Sequence, residues 1–225
     1  MQEIKEKYFE GERALYGLSN TILKNVTFGE GESPLKETKD LEIKAAIFKY
    51  KYPLWYSNNI NITDTTFETM SRSGIWYTNN ISIKNSNLQA PKLFRRCKNI
   101  TLDHVFFSDA EETMWTCEDI TIKNTEINGD YFGKDSSNIY MDHVTLENCI
   151  LNQTPLAFEK CSNINATINS KITSIKNPIS GIIKAKKIET VIIDPSKVDP
   201  KATKIISIEP VDREVSVSDQ NQEGE

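Results

Sequence analysis

Short runs in which apolar and polar residues alternate recur along most of the chain. They have the form Ile-x-Ile flanked by Asn, Thr and Lys, as in NNINIT at 58–63 and NNISIK at 79–84. Alternation with a period of two, together with many Ile, Val and Thr residues, is typical of β-strands. No long stretch has the apolar spacing of an amphipathic helix. The pattern therefore predicts an all-β protein.

The runs also repeat at a nearly constant spacing. The first strand isoleucine of successive units is Ile60, Ile81, Ile100, Ile120 and Ile139, with an earlier unit around Leu23 and a later one at Ile164. Units of about 20 residues are too short for propeller blades, and they lack the signatures of leucine-rich and hexapeptide repeats. We therefore predict a single-stranded parallel β-helix, a solenoid of about seven to nine coils with one repeat in each coil.

The repeat predicts which residues lie above one another in the stack. A polar column four positions after the anchor contains Asn25, Asp64, Asn85, His104, Asn124 and His143, and a column of small residues three positions before it contains Ser57, Thr78, Cys97, Cys117, Ser136 and Cys161. Stacked polar groups can satisfy backbone groups that a bend leaves unpaired. We therefore interpret both columns as structural.

The histidines and cysteines in these columns invite a catalytic or metal-binding interpretation. His104 and His143 lie two coils apart, roughly 10 Å at the usual strand spacing, which is too far to share a zinc ion. Cys97 and Cys117 lie on adjacent coils, at a separation compatible with a disulfide. No Cys-x-x-Cys pair occurs. We expect small packed thiols, no metal site and no cofactor.

The charge is unevenly distributed. The chain carries a net charge of -5, and residues 209–225 alone contain six acidic residues and one base. We predict an N-terminal cap at 1–13, one β-helix domain at 14–208 and an acidic, disordered tail at 209–225. The balanced charge of the rest argues against a nucleic-acid partner, and no apolar run is long enough to span a membrane. An uncapped end of the stack would expose strand edges and allow dimerisation.

The N-terminal residues bear on the cellular compartment. They lack the apolar segment of a secretory signal. We therefore expect a cytoplasmic protein whose cysteines stay reduced.

Longer strings in the sequence resemble a known family. They are GERALYGLSNTILKNVTFGEGESPLKE near the start, KYPLWYS, GIWYTNNI, APKLFRRCKNI, EETMWTCEDI and NGDY in the middle, and INATINSKITSIKNPISGII near the end. Over residues 10–195 the chain resembles a bacterial family of domains of unknown function, number 3737. The resemblance implies a right-handed β-helix of the pectin-lyase-like type and brings no catalytic residue. The chain departs from the family pattern in having fewer middle coils and in having Lys171 where a histidine is common.

One further column contains aromatic residues. Trp55, Trp76, Phe94 and Trp115 precede the small-residue column, with Leu54, Ile75, Leu93 and Met114 beside them, Tyr56 and Tyr77 following, and charged residues Lys51, Arg72, Lys92, Arg95, Arg96, Glu111, Glu112 and Asp130 nearby. The rings form either a stack inside the coil or an exposed platform for a carbohydrate or another small polar ligand. The charged residues form either part of that site or a solvated ribbon of ion pairs.

Two functions remain open at this point. We predict a ligand-binding or scaffold module, whose ligand-binding candidates are Trp55, Tyr56, Arg72, Trp76, Tyr77, Arg95, Arg96 and Trp115. The alternative is a carbohydrate-active enzyme, a lyase or a hydrolase. Its catalytic candidates are Glu111, Glu112 and Asp130, because a glycosidase needs two carboxylates that face each other across the bond.

Overall fold

The chain folds as a β-solenoid in a computed structural model that describes residues 1–129, 131–147 and 158–217. These ranges contain no α-helix, and therefore none that could cross a membrane. The strands are β1 (Gln2–Lys5), β2 (Tyr8–Phe9), β3 (Ser19–Lys24), β4 (Thr27–Phe28), β5 (Lys39–Lys44), β6 (Ile47–Phe48), β7 (Asn58–Thr63), β8 (Thr66–Phe67), β9 (Ile75–Trp76), β10 (Asn79–Leu88), β11 (Phe94–Arg95), β12 (Lys98–Phe107), β13 (Glu118–Lys123), β14 (Glu126–Asn128), β15 (Ser137–Glu147), β16 (Phe158–Glu159), β17 (Ser162–Lys176), β18 (Gly181–Ile193), β19 (Thr203–Ser207) and β20 (Arg213–Ser216).

Strands of successive coils pair in parallel, and the repeat sets their register. Ile60 pairs with Ile81, which in turn pairs with Ile100, and the same column continues through Ile120 and Ile139. The predicted parallel β-helix is therefore confirmed. The stack has about 11 coils, more than the seven to nine predicted, because coils without a clear repeat signature occur at both ends.

The interior is a set of apolar columns that run along the solenoid axis. Phe9, Phe28, Phe48 and Phe67 stack face to face, with neighbouring ring centroids 4.6–5.3 Å apart. Isoleucine and leucine of the long strands fill the adjacent columns and are almost fully buried. Each ring or aliphatic side chain is covered by its equivalents one coil above and below, so a coil in the middle of the stack leaves no apolar core exposed.

The corners of the coils explain the predicted polar column. Its members Asn25, Asp64, Asn85, His104, Asn124 and His143 all have left-handed backbone conformations, with φ between 48° and 54°. Asn, Asp and His are the non-glycine residues that adopt this conformation most readily. The column therefore marks where each of these six coils turns.

A second left-handed column lies one position before each anchor and forms an exposed amide ladder. Asn99 donates from Nδ2 to Asn80 Oδ1 at 2.8 Å, and Asn138 donates to Asp119 in the same way at 2.7 Å. The two columns predicted from the sequence do not include this ladder, although an Asn or Asp precedes nearly every anchor.

The predicted column of small residues is buried. Ser57 Oγ donates to Leu35 O at 3.0 Å, and Cys97 Sγ lies 2.9 Å from Ile75 O, so hydroxyls and thiols bond to the preceding coil. Cys97, Cys117 and Cys161 are free, and burial raises the pKa of Cys161 to about 12. A thiol held neutral in this way is a packing group rather than a nucleophile.

The ends of the chain differ from the predicted domain boundaries. Residues 1–13 contain β1 and β2, which pair in register with β3 and β4, so part of the predicted cap is a coil of the solenoid. Within the predicted disordered tail, β20 (Arg213–Ser216) pairs with β18. The tail continues the stack there, with Val215 half-buried between the exposed residues Glu214 and Ser216. This alternation is typical of a strand. Residues 218–225 of the tail lie outside the described residues.

Candidate functional site

The register corrects the aromatic column that the sequence suggested. Phe94 pairs with Ile75, whereas Arg95 pairs with Trp76 and bridges to Trp115. Phe94 is fully buried inside the coil. The column outside the coil, the tryptophan column, therefore consists of Trp55, Trp76, Arg95, Trp115 and Lys134. The sequence-based column includes Phe94 because it is aromatic. Phe94 lies three residues before the small-residue column, whereas the tryptophans lie two residues before it.

The tryptophan column is a stack of rings and cations. Trp55 and Trp76 stack with centroids 5.3 Å apart and planes 7° from parallel. The Arg95 guanidinium lies 4.5 Å from the Trp76 ring and 4.9 Å from the Trp115 ring, and Lys134 Nζ lies 5.1 Å from the Trp115 ring. Cations over indole faces are attracted by the ring quadrupole. Both ring faces of Trp76 and Trp115, and one face of Trp55, are therefore covered by other members of the column.

The indole N–H groups are also engaged. Trp55 Nε1 donates to Ser73 O at 2.5 Å and Trp76 Nε1 donates to Lys92 O at 2.8 Å. Trp115 Nε1 donates to Tyr131 O at 2.5 Å. All three side chains are half-buried. The tryptophans are thus neither inside the coil nor free at the surface, and they connect each coil to the following turn.

The remaining predicted binding residues lie beside this column. Tyr56 and Tyr77 stack with centroids 4.7 Å apart, and the Arg96 guanidinium lies 5.8 Å from the Tyr77 ring. Arg72 is exposed in the turn that precedes Trp76. The structure thus brings the eight candidates onto one side of the solenoid, and ligand binding by them stays a prediction.

The predicted carboxylate pair is only partly described. Glu111 is exposed, and Glu112 Oε2 lies 3.1 Å from Lys92 Nζ and 3.5 Å from Arg95 Nη2. Asp130 lies outside the described residues. Catalysis by this pair stays a prediction. Within the described ranges, no group of three or more His, Cys, Asp or Glu side chains is placed to hold a metal ion.

A different site is formed at the corner that follows the long strands. Here a shallow groove of about 640 Å³, the corner groove, runs along the axis over four coils. It is lined by the corner residues Asp64, Asn85, His104 and Asn124 and by the next outward-facing column, which is Thr66, Asn87, Phe106 and Glu126. Phe106 is 39% exposed. An accessible ring thus lies among amide, carboxylate and imidazole groups that recur once per coil.

Hydrogen bonds hold part of the groove wall in place. Asp103 Oδ1 lies 2.8 Å from His104 Nδ1 and accepts a 2.9 Å hydrogen bond from Asn124 Nδ2. The bond from Asn124 and the nearby imidazole lower the pKa of Asp103. As an ionised acceptor, this carboxylate orients the side chains on two neighbouring coils.

One polar atom in the groove lacks a partner. Asn87 Oδ1 is buried and accepts no hydrogen bond within the described chain. A buried acceptor without a donor costs about 1–3 kcal/mol of stability.

A match to a known family covers most of the solenoid. The model of a family described as a protein of unknown function, DUF3737, matches residues 2–146 and 139–206. The chain belongs to the DUF3737 family. Searches of curated proteins and of solved structures returned no match. The expected family is confirmed, and it assigns no activity to the solenoid.

The groove of this DUF3737 chain could be found only in part from its sequence. The sequence identifies the corner column, but its pattern indicates only a structural role. Two features of the sequence indicate the outward-facing column. Asn87, Phe106 and Glu126 occupy equivalent positions in successive repeats. Phe106 and Phe107 are adjacent, so the alternation of a strand exposes one of them.

Proposed function

We propose that this protein is a non-catalytic binding module that holds a neutral, hydroxyl-rich ligand of the carbohydrate class in the corner groove. The observation that supports it is the exposed Phe106 ring among polar groups that repeat along the axis. Sugars bind proteins by stacking an apolar ring face on an aromatic side chain while directional bonds hold their hydroxyls.

The charge of the groove favours a neutral ligand over an acidic one. Asp64 and Glu126 line the groove, and the Asp103 carboxylate contacts the His104 imidazole. An acidic sugar would meet repulsion from these carboxylates. The spacing of equivalent residues by one coil suits an extended ligand with repeating units better than a compact one.

The proposal is tested by titrating the full chain with neutral oligosaccharides and with oligogalacturonate while backbone and side-chain NMR signals are recorded. Neutral sugars are expected to shift the side-chain signals of Asn85, Asn87 and Asn124. Phe106→Ala should weaken binding by about tenfold or more, since it removes the stacking surface.

Tyr140 provides a matched control, because it is 40% exposed on the neighbouring face. Tyr140→Ala should leave binding unchanged. Shifts confined to the indole signals of Trp55, Trp76 and Trp115 would instead assign binding to the tryptophan column. Absence of any shift with all the sugars would refute the carbohydrate class.

A further inference from the structure

The N-terminal end of the solenoid exposes apolar residues whose equivalents one coil further in are covered. Ile4 and Phe9 are half-buried, whereas Leu23 and Phe28, their partners one coil further in, are at most 2% exposed. Phe9 stacks on Phe28 with one ring face. Its other face contacts no ring in the part of the chain that the structure describes. We call this surface, formed by Ile4, Phe9, Leu15 and Leu18, the N-terminal face.

The same end presents an open strand edge. β1 pairs with β3 along one edge, and along its other edge it has no partner strand among the described residues. An unpaired edge over an apolar core is a site for strand addition. The surface therefore combines free backbone groups with uncovered apolar side chains.

We propose that two copies of this chain join through their N-terminal faces, with β1 of one copy antiparallel to β1 of the other and the two-fold axis at Ile4. In this arrangement the two Ile4 side chains oppose each other on the core side. An isologous contact of this kind closes as a dimer.

Charge complementarity selects the partner and the register. Glu3 and Lys5 flank Ile4 and are both exposed on the outer side of β1. Antiparallel pairing about Ile4 places Glu3 opposite Lys5 of the partner subunit, and symmetry gives this ion pair twice. Opposite charges directly across an antiparallel pair stabilise it, whereas like charges destabilise it. Pairing about Lys5 would place two lysines against each other.

The corner groove lies on the side of the stack and takes no part in this contact.

The test uses the full chain and two single variants, Glu3→Lys and Lys5→Glu, in analytical ultracentrifugation. The unaltered chain is expected to sediment with twice the mass of the chain. Each variant should raise the dimer dissociation constant by about tenfold or more, because each replaces two attractive pairs by two repulsive ones. An equimolar mixture of the two variants should form the dimer again, since each charge then meets its opposite.

Lys24→Glu is the matched control. Lys24 is exposed in β3 and is the partner of Lys5 one coil further in. It should leave the mass unchanged. Three results would overturn the proposal: an unaltered chain that stays monomeric at the highest concentration at which it remains dispersed, a species that keeps growing with concentration, or a mixture of variants that stays monomeric.

Discussion

At the residue scale, the left-handed corners account for most of the asparagine, aspartate and histidine in the coils. Both polar columns lie at positive φ, where β-branched and bulky residues are strained. The backbone therefore explains the chemical similarity within each column. His104 nevertheless also lines the corner groove, so a residue that suits the backbone conformation is available for binding as well.

The tryptophan column leads to a prediction about Arg95. Arg95→Ala should lower the free energy of unfolding by about 1–2 kcal/mol, because its guanidinium lies between two indole rings. Arg96→Ala should cost less, since Arg96 is exposed and lies 5.8 Å from a single ring. Urea unfolding of both variants checks this. Equal losses of unfolding free energy would show that the position of Arg95 between two indole rings adds no specific stability.

A second prediction at this scale concerns stability at low pH. Asp194 accepts hydrogen bonds from Ser196 and pairs with Lys197 Nζ at 2.7 Å. The bond from Lys197 is the largest of the causes that lower the pKa of Asp194 to about 2. An unfolded aspartate has a pKa of about 3.9. The stabilising contribution is therefore fully present above the unfolded pKa and is lost as the pH falls towards the folded one.

Asp194→Asn should accordingly flatten the decline of stability across this pH range, as followed by urea unfolding at several acidic pH values. Asp199→Asn serves as the control, because Asp199 is exposed and its Oδ1 accepts a 2.9 Å hydrogen bond from the backbone N–H of Lys201. A decline that is unchanged in Asp194→Asn would contradict the assignment.

At the element scale, each long strand separates a buried column from an exposed one. β12 ends with Phe106 and Phe107, which point to opposite sides of the strand. Phe107 is fully buried in the interior, whereas Phe106 forms part of the groove. Of these two adjacent phenylalanines, Phe107 therefore packs in the core and Phe106 lies on the surface of the groove.

This pair gives a prediction with an internal control. Phe107→Ala should lower the free energy of unfolding by about 3–5 kcal/mol, since it leaves a cavity in the core. Phe106→Ala should cost less than about 1 kcal/mol, because its ring is partly in solvent and lies outside the core. Chemical denaturation of the two variants measures both. Similar losses would mean that Phe106 also contributes to core packing.

The elements also show where sequence reasoning succeeded. The anchors Ile60 to Ile139 were assigned to consecutive coils at the register that the structure has. The sequence-based column groups Phe94 with Trp76 because both are aromatic, although Phe94 lies three residues before Cys97 and Trp76 lies two residues before Thr78. The number of residues to the next anchor therefore gives the register, whereas residue type alone does not.

At the scale of the whole molecule, each coil depends on the coils next to it. Contacts link adjacent coils, so stability accumulates along the axis and the ends are the weakest points. The N-terminal face is such an end, and pairing with a second copy would give it the neighbour that interior coils already have. The corner groove, in contrast, needs only the rigid middle of the stack.

The sequence by itself determined the all-β class, the coil length, the register and the buried columns. It could do so because each follows from a periodic pattern that is repeated many times, and errors in one repeat are corrected by the others. The tertiary structure alone decided that Arg95 and Lys134 cover indole faces and that the corner column lines a groove. These properties depend on how side chains from coils about 20 residues apart in sequence pack against each other, and no local pattern records that packing.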